Sequence, residues 1–433
     1  MARRSTVLRV LLNGRGVGWL SRAASGAIDF KYDEEWLAWE HALPVSLSLP
    51  LDARRYTGAP VTAVFENLLP DNDAIRSRIA DRIGADGADA YSLLAAVGRD
   101  CVGALQFLPV DVEPTPVGEI HAEPINDEGI ADLLRNLGAA PLGLERDDAF
   151  RISIAGAQEK TALLWWKGAW HKPLGTTPTT HIFKPQIGAL PNGIDLSNSV
   201  ENEHLCLTFL AKLGLTVAST QMAMFGDRRV LVVERFDRLW ARDGRLLRRP
   251  QEDICQALSV PPSRKYEDHG GPGIADIMGL FEASDQPDID RAMLMKALIA
   301  FWLIGATDGH AKNFSIFLHS GGRFSAAPIY DVLSAEPSLA AHQINRRQMR
   351  LAMAVGDRRR YRLDEIAPRH FVQTAVRAGY DAVSTGEIIA EIGNVAEAAF
   401  HAAVDEMPGD IATELVDSIG AAIRRRIESL RLM

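Results

Sequence analysis

The chain has 433 residues, and its 47 basic and 56 acidic residues give a formal net charge of −9. Hydrophobic residues make up 47% and charged residues 24% of the chain, which is ordinary for a globular protein with a large core and excludes gross disorder. The acidic balance argues against a protein that binds nucleic acid unaided, because bulk electrostatics would repel the phosphate backbone.

Cysteine spacing and hydropathy argue against two further classes of protein: those stabilised by zinc or disulfides, and those that span a membrane. Cys101, Cys206 and Cys255 lie far apart without a CxxC pair, which favours buried free thiols in a reducing cytoplasm over zinc ligands or disulfides. No apolar stretch is long enough to span a membrane, and the N-terminus lacks an apolar signal run. We therefore expect a cytoplasmic protein without a membrane partner.

The first hundred residues predict a small α+β unit. The dipeptide Asn13-Gly14 between two apolar runs is a strong hairpin signal. Strands are predicted at residues 6–12, 16–20, 27–32 and 45–49, and helices at residues 65–69, 75–83 and 90–97. The proline-bearing stretch 114–124 predicts a linker, and a short helix is expected after it.

Residues 151–160 have the pattern of a phosphate-binding loop. A strand, a turn of small residues and a second strand at residues 161–166 are what a nucleotide-covering loop requires. Ala155, Gly156 and Ala157 would let backbone N–H groups approach a phosphate closely. An ordinary hairpin is the competing interpretation.

The next two elements place a lysine and two carboxylates. Residues 181–185 alternate like a strand and include Lys184, whose point charge suits the α- and β-phosphates. A helix predicted at residues 199–213 has Glu201 and Glu203 near its start, and either could pair with Lys184. Alternatively, Lys184 is solvated and the glutamates only favour the helix N-terminus.

A largely apolar strand at residues 229–236 ends in Glu234, Arg235 and Phe236. A strand leading out of a small lobe is where an adenine would hydrogen-bond to backbone, although Glu234 and Arg235 could instead be a surface pair. From Gln251 onward the pattern becomes helical. Helices are predicted at residues 254–258, 274–282, 289–307, 387–403 and 411–432.

The most informative run is Thr307-Asp308-Gly309-His310-Ala311-Lys312-Asn313. Four residues separate its aspartate from its asparagine, as in a kinase catalytic loop. A predicted hairpin with a turn at Gly321-Gly322 would return Tyr330 and Asp331 beside this loop. In this arrangement Asp308 orients the substrate hydroxyl and accepts its proton, while Asn313 and Asp331 bind Mg²⁺.

Long blocks of the chain resemble the HipA toxin kinases of bacterial type II toxin–antitoxin modules. The blocks are residues 148–164, 175–181, 233–238, 250–253, 265–267, 270–273 and 302–313. The resemblance implies an α+β, bilobal protein-kinase-like fold with a strand-rich N-lobe, an all-helical C-lobe and a small N-terminal α+β subdomain. The implied domains are residues 1–110, a linker and short helix at 111–147, an N-lobe at 148–240 and a C-lobe at 241–433.

The resemblance also implies a set of site residues. Asp308 is expected to be catalytic, Asn313 and Asp331 to bind metal, and Ser153 to be autophosphorylated. Judged by strand alternation alone, Ser153 would simply be on the polar face of a strand. Residues expected to contact ATP are Ala155, Gly156, Ala157, Gln158, Glu159, Lys160, Lys184, Glu234, Arg235, Phe236, His310, Ala311, Lys312, Asn313, Tyr330 and Asp331. An alternative for His310 is a loop histidine satisfied by backbone groups.

The resemblance implies an ATP- and Mg²⁺-dependent serine/threonine protein kinase that phosphorylates an aminoacyl-tRNA synthetase, glutamyl-tRNA synthetase in the best-known case. Growth arrest and persistence would follow, and autophosphorylation would inactivate the enzyme. The expected partners are a dimeric helix-turn-helix antitoxin of the HipB type and, through that complex, operator DNA, which the pair would repress. Alternatives are a lipid or small-molecule kinase, or a catalytically idle regulator bridging antitoxin and DNA. The intact Asp308, Asn313, Asp331 and Lys184 argue against the idle regulator.

Overall fold

The computed structural model describes residues 6–145, 149–156 and 158–431. The chain divides into two compact units. The first comprises the described parts of Met1–Pro185, Ala223–Ser263 and Ile316–Phe324, and the second those of Gln186–Met222, Arg264–Ser315 and Ser325–Met433. Three of the crossings between the units fall within strands, at Thr220–Phe225, Ser315–Leu318 and Phe324–Ala326.

The first unit begins with a five-stranded antiparallel sheet. Its strand order is Tyr56–Thr57, Ile28–Tyr32, Arg15–Arg22, Thr6–Leu12 and Leu105–Pro109. The predicted hairpin is confirmed, since Leu12 pairs with Arg15 and both turn residues, Asn13 and Gly14, have positive φ. The helices Glu34–Leu37, Ala59–Glu66, Asp73–Ile83 and Ala90–Val97 accompany this sheet.

The strand predicted at residues 45–49 is wrong. The segment forms only an isolated bridge between Ser46 and Leu49. The reason is a single side chain: the Tyr32 hydroxyl accepts from the Val45 N–H at 2.9 Å and donates to the Leu49 carbonyl at 2.5 Å. Because this buried phenol satisfies backbone groups at both ends of the segment, no neighbouring strand is needed.

The first unit also contains most of a six-stranded sheet. Its order is Thr220–Phe225, Arg228–Glu234, His181–Pro185, Thr161–Trp166, Ala169–Pro173 and Ala122–Pro124, and the helix Asp127–Arg135 packs against it. The strands predicted at residues 161–166, 181–185 and 229–236 are confirmed, whereas the strand predicted just before the phosphate loop is absent because residues 151–155 have no strand pairing.

The second unit is mainly helical. Its larger helices are Ser199–Lys212, Ile274–Phe281, Pro287–Ile304, Pro368–Arg377, Ala382–Asp405 and Thr413–Arg431. It also contains a β-hairpin, Arg350–Val355 with Arg360–Arg362, so the expectation of an all-helical C-terminal lobe needs correction. Arg358 and Arg359 lie at the turn of this hairpin, which the sequence analysis did not predict.

Short elements complete the described chain. These are the strands Gly188–Ala189, Asp195–Leu196, Arg238–Trp240, Leu246–Arg248 and Gln251–Asp253, the helices Ile254–Ala257 and Glu336–Ala340, and 3₁₀ turns at Pro141–Gly143, Pro262–Arg264, Glu267–His269, Ala311–Asn313, Ser320–Gly322 and Leu363–Glu365. All three cysteines are buried and free. Across residues 6–145, 149–156 and 158–431, the helices are too short or too polar to cross a membrane.

Candidate active site

The Asp308 loop follows a largely buried helix of the second unit. The helix Pro287–Ile304 ends at Gly305, whose φ is +70° and whose position has no room for a side chain, since a Cβ there would lie 2.7 Å from Glu336 Oε1. Glycine is therefore required to turn the chain into the loop. The loop itself ends in the 3₁₀ turn Ala311–Asn313.

Backbone and side-chain hydrogen bonds close this loop around Asp308. The Asp308 carbonyl accepts from the Asn313 side-chain amide and from the His310 N–H, each at 2.8 Å. The structure therefore brings the two predicted functional residues of the loop into direct contact. Asn313 is largely buried, whereas the Asp308 side chain is 61% exposed, so the carboxylate is accessible to a substrate.

Tyr266, which was not predicted as a site residue, binds the Asp308 carboxylate. Its hydroxyl donates to Asp308 Oδ1 at 2.5 Å, and its ring meets the His310 ring edge-on at 4.9 Å between centroids. The only sequence signal was its place within residues 265–267, one of the blocks that carry the family resemblance. Nothing in its spacing indicated that it would reach a residue 42 positions later.

His310 is a buried imidazole in an environment that favours its neutral form. It is 2% exposed, and its Nε2 lies 3.8 Å from Asp308 Oδ1. Burial lowers the pKa of His310, and Lys265 lowers this pKa further, while Asp308 and Asp331 partly oppose the shift. Within the described residues its Nδ1 has no hydrogen-bond partner, so the alternative of a histidine satisfied by backbone is not supported at this nitrogen.

The predicted return of the chain to the loop is confirmed at Tyr330. Its hydroxyl donates to the Lys312 carbonyl at 3.0 Å and shares a hydrogen bond of 2.7 Å with Ser315 Oγ. The next residue, Asp331, has a φ of +59°. A left-handed backbone at a non-glycine residue costs about 1–3 kcal/mol, and such strain clusters at functional sites.

The side chains of Asn313 and Asp331 fit a magnesium ion by their donor chemistry. Because the Asn313 amide nitrogen is used by Asp308, its amide oxygen remains as the acceptor. Together with the Asp331 carboxylate it gives an oxygen-only set, which is what Mg²⁺ prefers. No group of three or more His, Cys, Asp or Glu side chains suited to a metal occurs within the described residues.

The phosphate-loop segment lies in the first unit and is buried at its start. Ser153 is fully buried, its hydroxyl donates to the Leu68 carbonyl at 2.7 Å, and its N–H donates to the Asp100 carbonyl at 3.0 Å. These bonds replace the predicted strand pairing. Gly156 has a φ of +108°, which disfavours any other residue, and a Cβ there would lie 2.6 Å from Lys160 Nζ, so a side chain would displace the lysine ammonium.

The structure places the rest of this loop against the lysine strand. The Gln158 side-chain amide donates to the Pro185 carbonyl at 2.9 Å, and Lys160 Nζ donates to the Ala155 carbonyl at 2.9 Å. Glu159 is instead paired with Arg78 at 3.2 Å. Ala157 lies outside the described residues, so its expected phosphate contact stays a prediction.

Lys184 is 7% exposed and lies opposite Leu231 on the neighbouring strand. In the second unit, Glu201 Oε2 accepts from the Gln186 side-chain amide at 2.6 Å. Which glutamate pairs with Lys184 stays a prediction.

Arg235 is a buried member of an ion network, not half of a surface pair. The Arg235 guanidinium is 1% exposed and lies 2.8 Å from Asp237 and 3.4 Å from Asp100. The backbone N–H of Arg235 donates to the Thr180 carbonyl. Glu234 is exposed, as expected for a surface residue. The hydrogen-bond donors of Arg235 are thus committed within the protein, and its carbonyl oxygen accepts from the Arg238 N–H at 3.1 Å.

Comparison with known proteins identifies the family. The model of the HipA N-terminal domain matches residues 8–108, and that of the HipA-like C-terminal domain matches residues 152–400, which is more than half of the chain. The boundaries predicted at residues 110, 147 and 240 stay predictions, and the junction 147/148 lies outside the described residues.

Relatives and solved structures agree with these matches. The chain is 38% identical over 81% of its length to "Putative kinase Y4mE" of Sinorhizobium fredii, covering 83% of that protein. It is 28% identical over 82% of its length to the serine/threonine-protein kinase toxin HipA of Shewanella oneidensis, covering 79% of it.

The fold is that of a solved HipA. With a TM-score of 0.81 and 24% identity, the structure matches 98% of this chain to 98% of a chain in the complex of Shewanella oneidensis HipA, HipB and operator DNA. This match confirms the predicted kinase-like fold class. On the family models and the 38% identical relative, the chain belongs to the HipA family.

Proposed function

We propose that the chain is an ATP- and Mg²⁺-dependent serine/threonine protein kinase that acts as the toxin of a toxin–antitoxin pair. One observation supports this most: the exposed Asp308 carboxylate stands on a loop closed by Asn313, and Tyr330, bonded to the same loop, precedes Asp331. A base beside two oxygen ligands is the minimum that phosphoryl transfer requires.

Asp308 would orient a serine or threonine hydroxyl and accept its proton as the bond to the γ-phosphorus forms. Its accessibility suits this task, and phosphoryl transfer depends more on position than on a raised pKa. Asn313 and Asp331 would bind Mg²⁺, which when present neutralises charge on the phosphates.

The remaining ATP contacts are proposed from the family resemblance. Lys184, Lys160 and Lys312 would lower the negative charge of the phosphates, and Gly156 would let backbone N–H groups approach them. The complete proposed set is Ala155, Gly156, Ala157, Gln158, Glu159, Lys160, Lys184, Glu234, Arg235, Phe236, His310, Ala311, Lys312, Asn313, Tyr330 and Asp331.

The proposed partners are a small dimeric antitoxin of the HipB type and, through it, operator DNA. The support is the Shewanella oneidensis HipA relative and the net charge of −9, which disfavours DNA binding by the chain alone. The proposed substrate is an aminoacyl-tRNA synthetase, such as glutamyl-tRNA synthetase. Its phosphorylation would arrest translation and promote persistence, and the toxin–antitoxin pair would repress its own operator.

Autophosphorylation of Ser153 is the proposed off-switch. Since Ser153 is fully buried and bonded to Leu68, its segment must leave this position before the hydroxyl can react. A phosphate would add nearly two negative charges, which cannot return to a buried site without compensation. The released segment would then no longer present Gly156 and Lys160 to ATP.

Phosphoproteomics of cells that briefly express the chain tests this function. The comparison is with Asp308→Gln and with Asp357→Gln, a matched change at another exposed aspartate of the same unit. We expect new phosphoserine or phosphothreonine on a translation protein with the wild type and Asp357→Gln only. ATP turnover without any phosphoprotein would favour a small-molecule or lipid kinase, and absence of ATP turnover would favour the idle regulator.

A further inference from the structure

We propose that Tyr266 is a positioning residue for Asp308: its hydroxyl fixes carboxylate oxygen Oδ1, so that Oδ2 is left for the substrate hydroxyl. The inference rests on the proposed kinase function with Asp308 as the base. All the groups concerned lie in the second unit.

Two groups converge on the same oxygen of Asp308. The Tyr266 hydroxyl donates to Oδ1 at 2.5 Å, and His310 Nε2 lies 3.8 Å from Oδ1. A hydrogen bond to an ionised acceptor is shorter and stronger than a neutral one. Only the Tyr266 contact is a hydrogen bond, since 3.8 Å is too long for one. This bond gives an otherwise exposed carboxylate a preferred orientation, with Oδ1 toward Tyr266.

The backbone that presents Tyr266 is itself fixed. The Tyr266 carbonyl accepts from the Gly271 N–H at 2.9 Å, and a Cβ at Gly271 would lie 2.0 Å from the Arg264 carbonyl oxygen. Only glycine therefore allows this turn. The following residue, Glu267, accepts a hydrogen bond from the Ala354 N–H at 2.5 Å. The turn is thus attached to the hairpin strand that contains Ala354.

The ring of Tyr266 is held as well as its backbone. It packs edge-on against His310 at 4.9 Å, and His310 is 2% exposed. An edge-on aromatic pair is favourable beyond its buried area. With backbone and ring both defined, little rotational freedom remains in the hydroxyl that reaches Asp308.

This geometry matches what the base has to do. As the substrate oxygen bonds to the γ-phosphorus and the bond to ADP breaks, the hydroxyl proton passes to Asp308 Oδ2, while Tyr266 keeps its own proton. A reaction that depends on near-attack positioning gains from a carboxylate with one orientation.

A competing role, in which Tyr266 occupies the substrate hydroxyl's position and blocks the site, fits the structure less well. A blocking group should cover the carboxylate, yet the Asp308 side chain is 61% exposed. Tyr266 and His310 both approach Asp308 at Oδ1, so an incoming hydroxyl that uses Oδ2 does not have to displace Tyr266.

Steady-state kinetics of Tyr266→Phe test the proposal, because phenylalanine keeps the ring against His310 and removes only the hydroxyl. The matched control is Tyr361→Phe, which removes a phenol that contacts Arg359 at 3.2 Å in the same unit. ADP release would be measured with casein as acceptor, together with the affinity for a non-hydrolysable ATP analogue and the melting temperature.

We expect Tyr266→Phe to lower kcat by about tenfold to a hundredfold, the size of effect that a misplaced catalytic group produces. The KM for ATP, the analogue affinity and the melting temperature should not change, and Tyr361→Phe should match the wild type. In an Asp308→Gln background the second change should have no further effect, because Tyr266 acts through Asp308.

The outcomes separate this inference from the function on which it rests. A wild type that turns over no ATP counts against the kinase function itself. An active wild type with an unchanged Tyr266→Phe enzyme overturns the positioning role, as does a raised kcat, which would show a blocking tyrosine. A higher KM for ATP at unchanged kcat would overturn it too, since it would show a nucleotide contact.

Discussion

Asp100 and Arg238 form a buried ion pair in the first unit, with Arg238 Nη2 2.9 Å from Asp100 Oδ1 and both side chains at most 2% exposed. Asp100 lies in the part of the chain that matches the HipA N-terminal model, and Arg238 in the part that matches the C-terminal model. Burial by itself would raise the pKa of Asp100, but Arg238, Arg248 and Arg235 outweigh it and hold this pKa below its ordinary value.

Asp100→Asn should therefore destabilise the protein strongly. Removing one partner of a buried pair leaves uncompensated buried charge and costs about 3–5 kcal/mol. Urea unfolding followed by circular dichroism measures this loss. Asp52→Asn, at an exposed ion pair with Arg54, is the control and should change stability by less than about 1 kcal/mol. Equal stability of the two variants would contradict a structural role for the network.

Stability should also fall as the pH rises because of Glu252. This residue is 1% exposed, and burial raises the pKa of Glu252 to about 8, against about 4.3 in an unfolded chain. Between these values the folded state binds the additional proton, so the free energy of unfolding should decrease with pH by up to about 1.4 kcal/mol per unit. Denaturant titrations at pH 5, 6.5 and 8 measure how the free energy of unfolding changes with pH. In Glu252→Gln this part of the pH dependence should be lost; an unaltered pH dependence would show that it arises from another group.

Asp331→Asn should weaken binding of Mg²⁺-ATP while leaving the fold intact. Asparagine tolerates the left-handed backbone that this position adopts, but it removes the charge that attracts the ion. We expect titration calorimetry to show a loss of affinity in the presence of magnesium, with an unchanged melting temperature. Asp357→Asn is the control. Wild-type affinity in Asp331→Asn would remove Asp331 from the proposed metal site.

Gly156→Ala should raise the KM for ATP. The alanine Cβ would lie 2.6 Å from Lys160 Nζ, on a backbone with a φ of +108°, and would displace this proposed ATP contact. The variant Gly168→Ala separates clash from backbone strain, since Gly168 has a φ of +79° and open space around it. Both changes should reduce stability, but only Gly156→Ala should affect ATP. If the two variants share the same KM, the phosphate-loop assignment fails.

Ser153 phosphorylation is expected to occur between molecules and to abolish ATP binding. When active kinase is mixed with the Asp308→Gln chain and Mg-ATP, mass spectrometry should find phosphate on Ser153 of the inactive chain. The modified chain should lose affinity for ATP, since its loop cannot return to the buried position beside Leu68. An unmodified Ser153 after prolonged incubation, or full affinity of the phosphorylated chain, would remove the switch.

The geometry of the loop at residues 307–313 could be predicted because its information is local. The spacing of Asp308 and Asn313, the glycines of the following turn and the return of Tyr330 all depend on residues within a few turns of one another. The same holds for the hairpin at Asn13 and for the strand of Lys184, where alternation or turn chemistry sets the element.

Tertiary structure decided what depends on partners distant in sequence. The Tyr32 hydroxyl hydrogen-bonds to backbone groups of residues 45–49, and the Ser153 hydroxyl donates to the Leu68 carbonyl. Arg235 is buried because it pairs with Asp100. Tyr266 reached Asp308 for the same reason. Local sequence determines which backbone conformations and chemical groups are available, but a buried polar group must be paired, and only the packed fold decides which distant residue satisfies it.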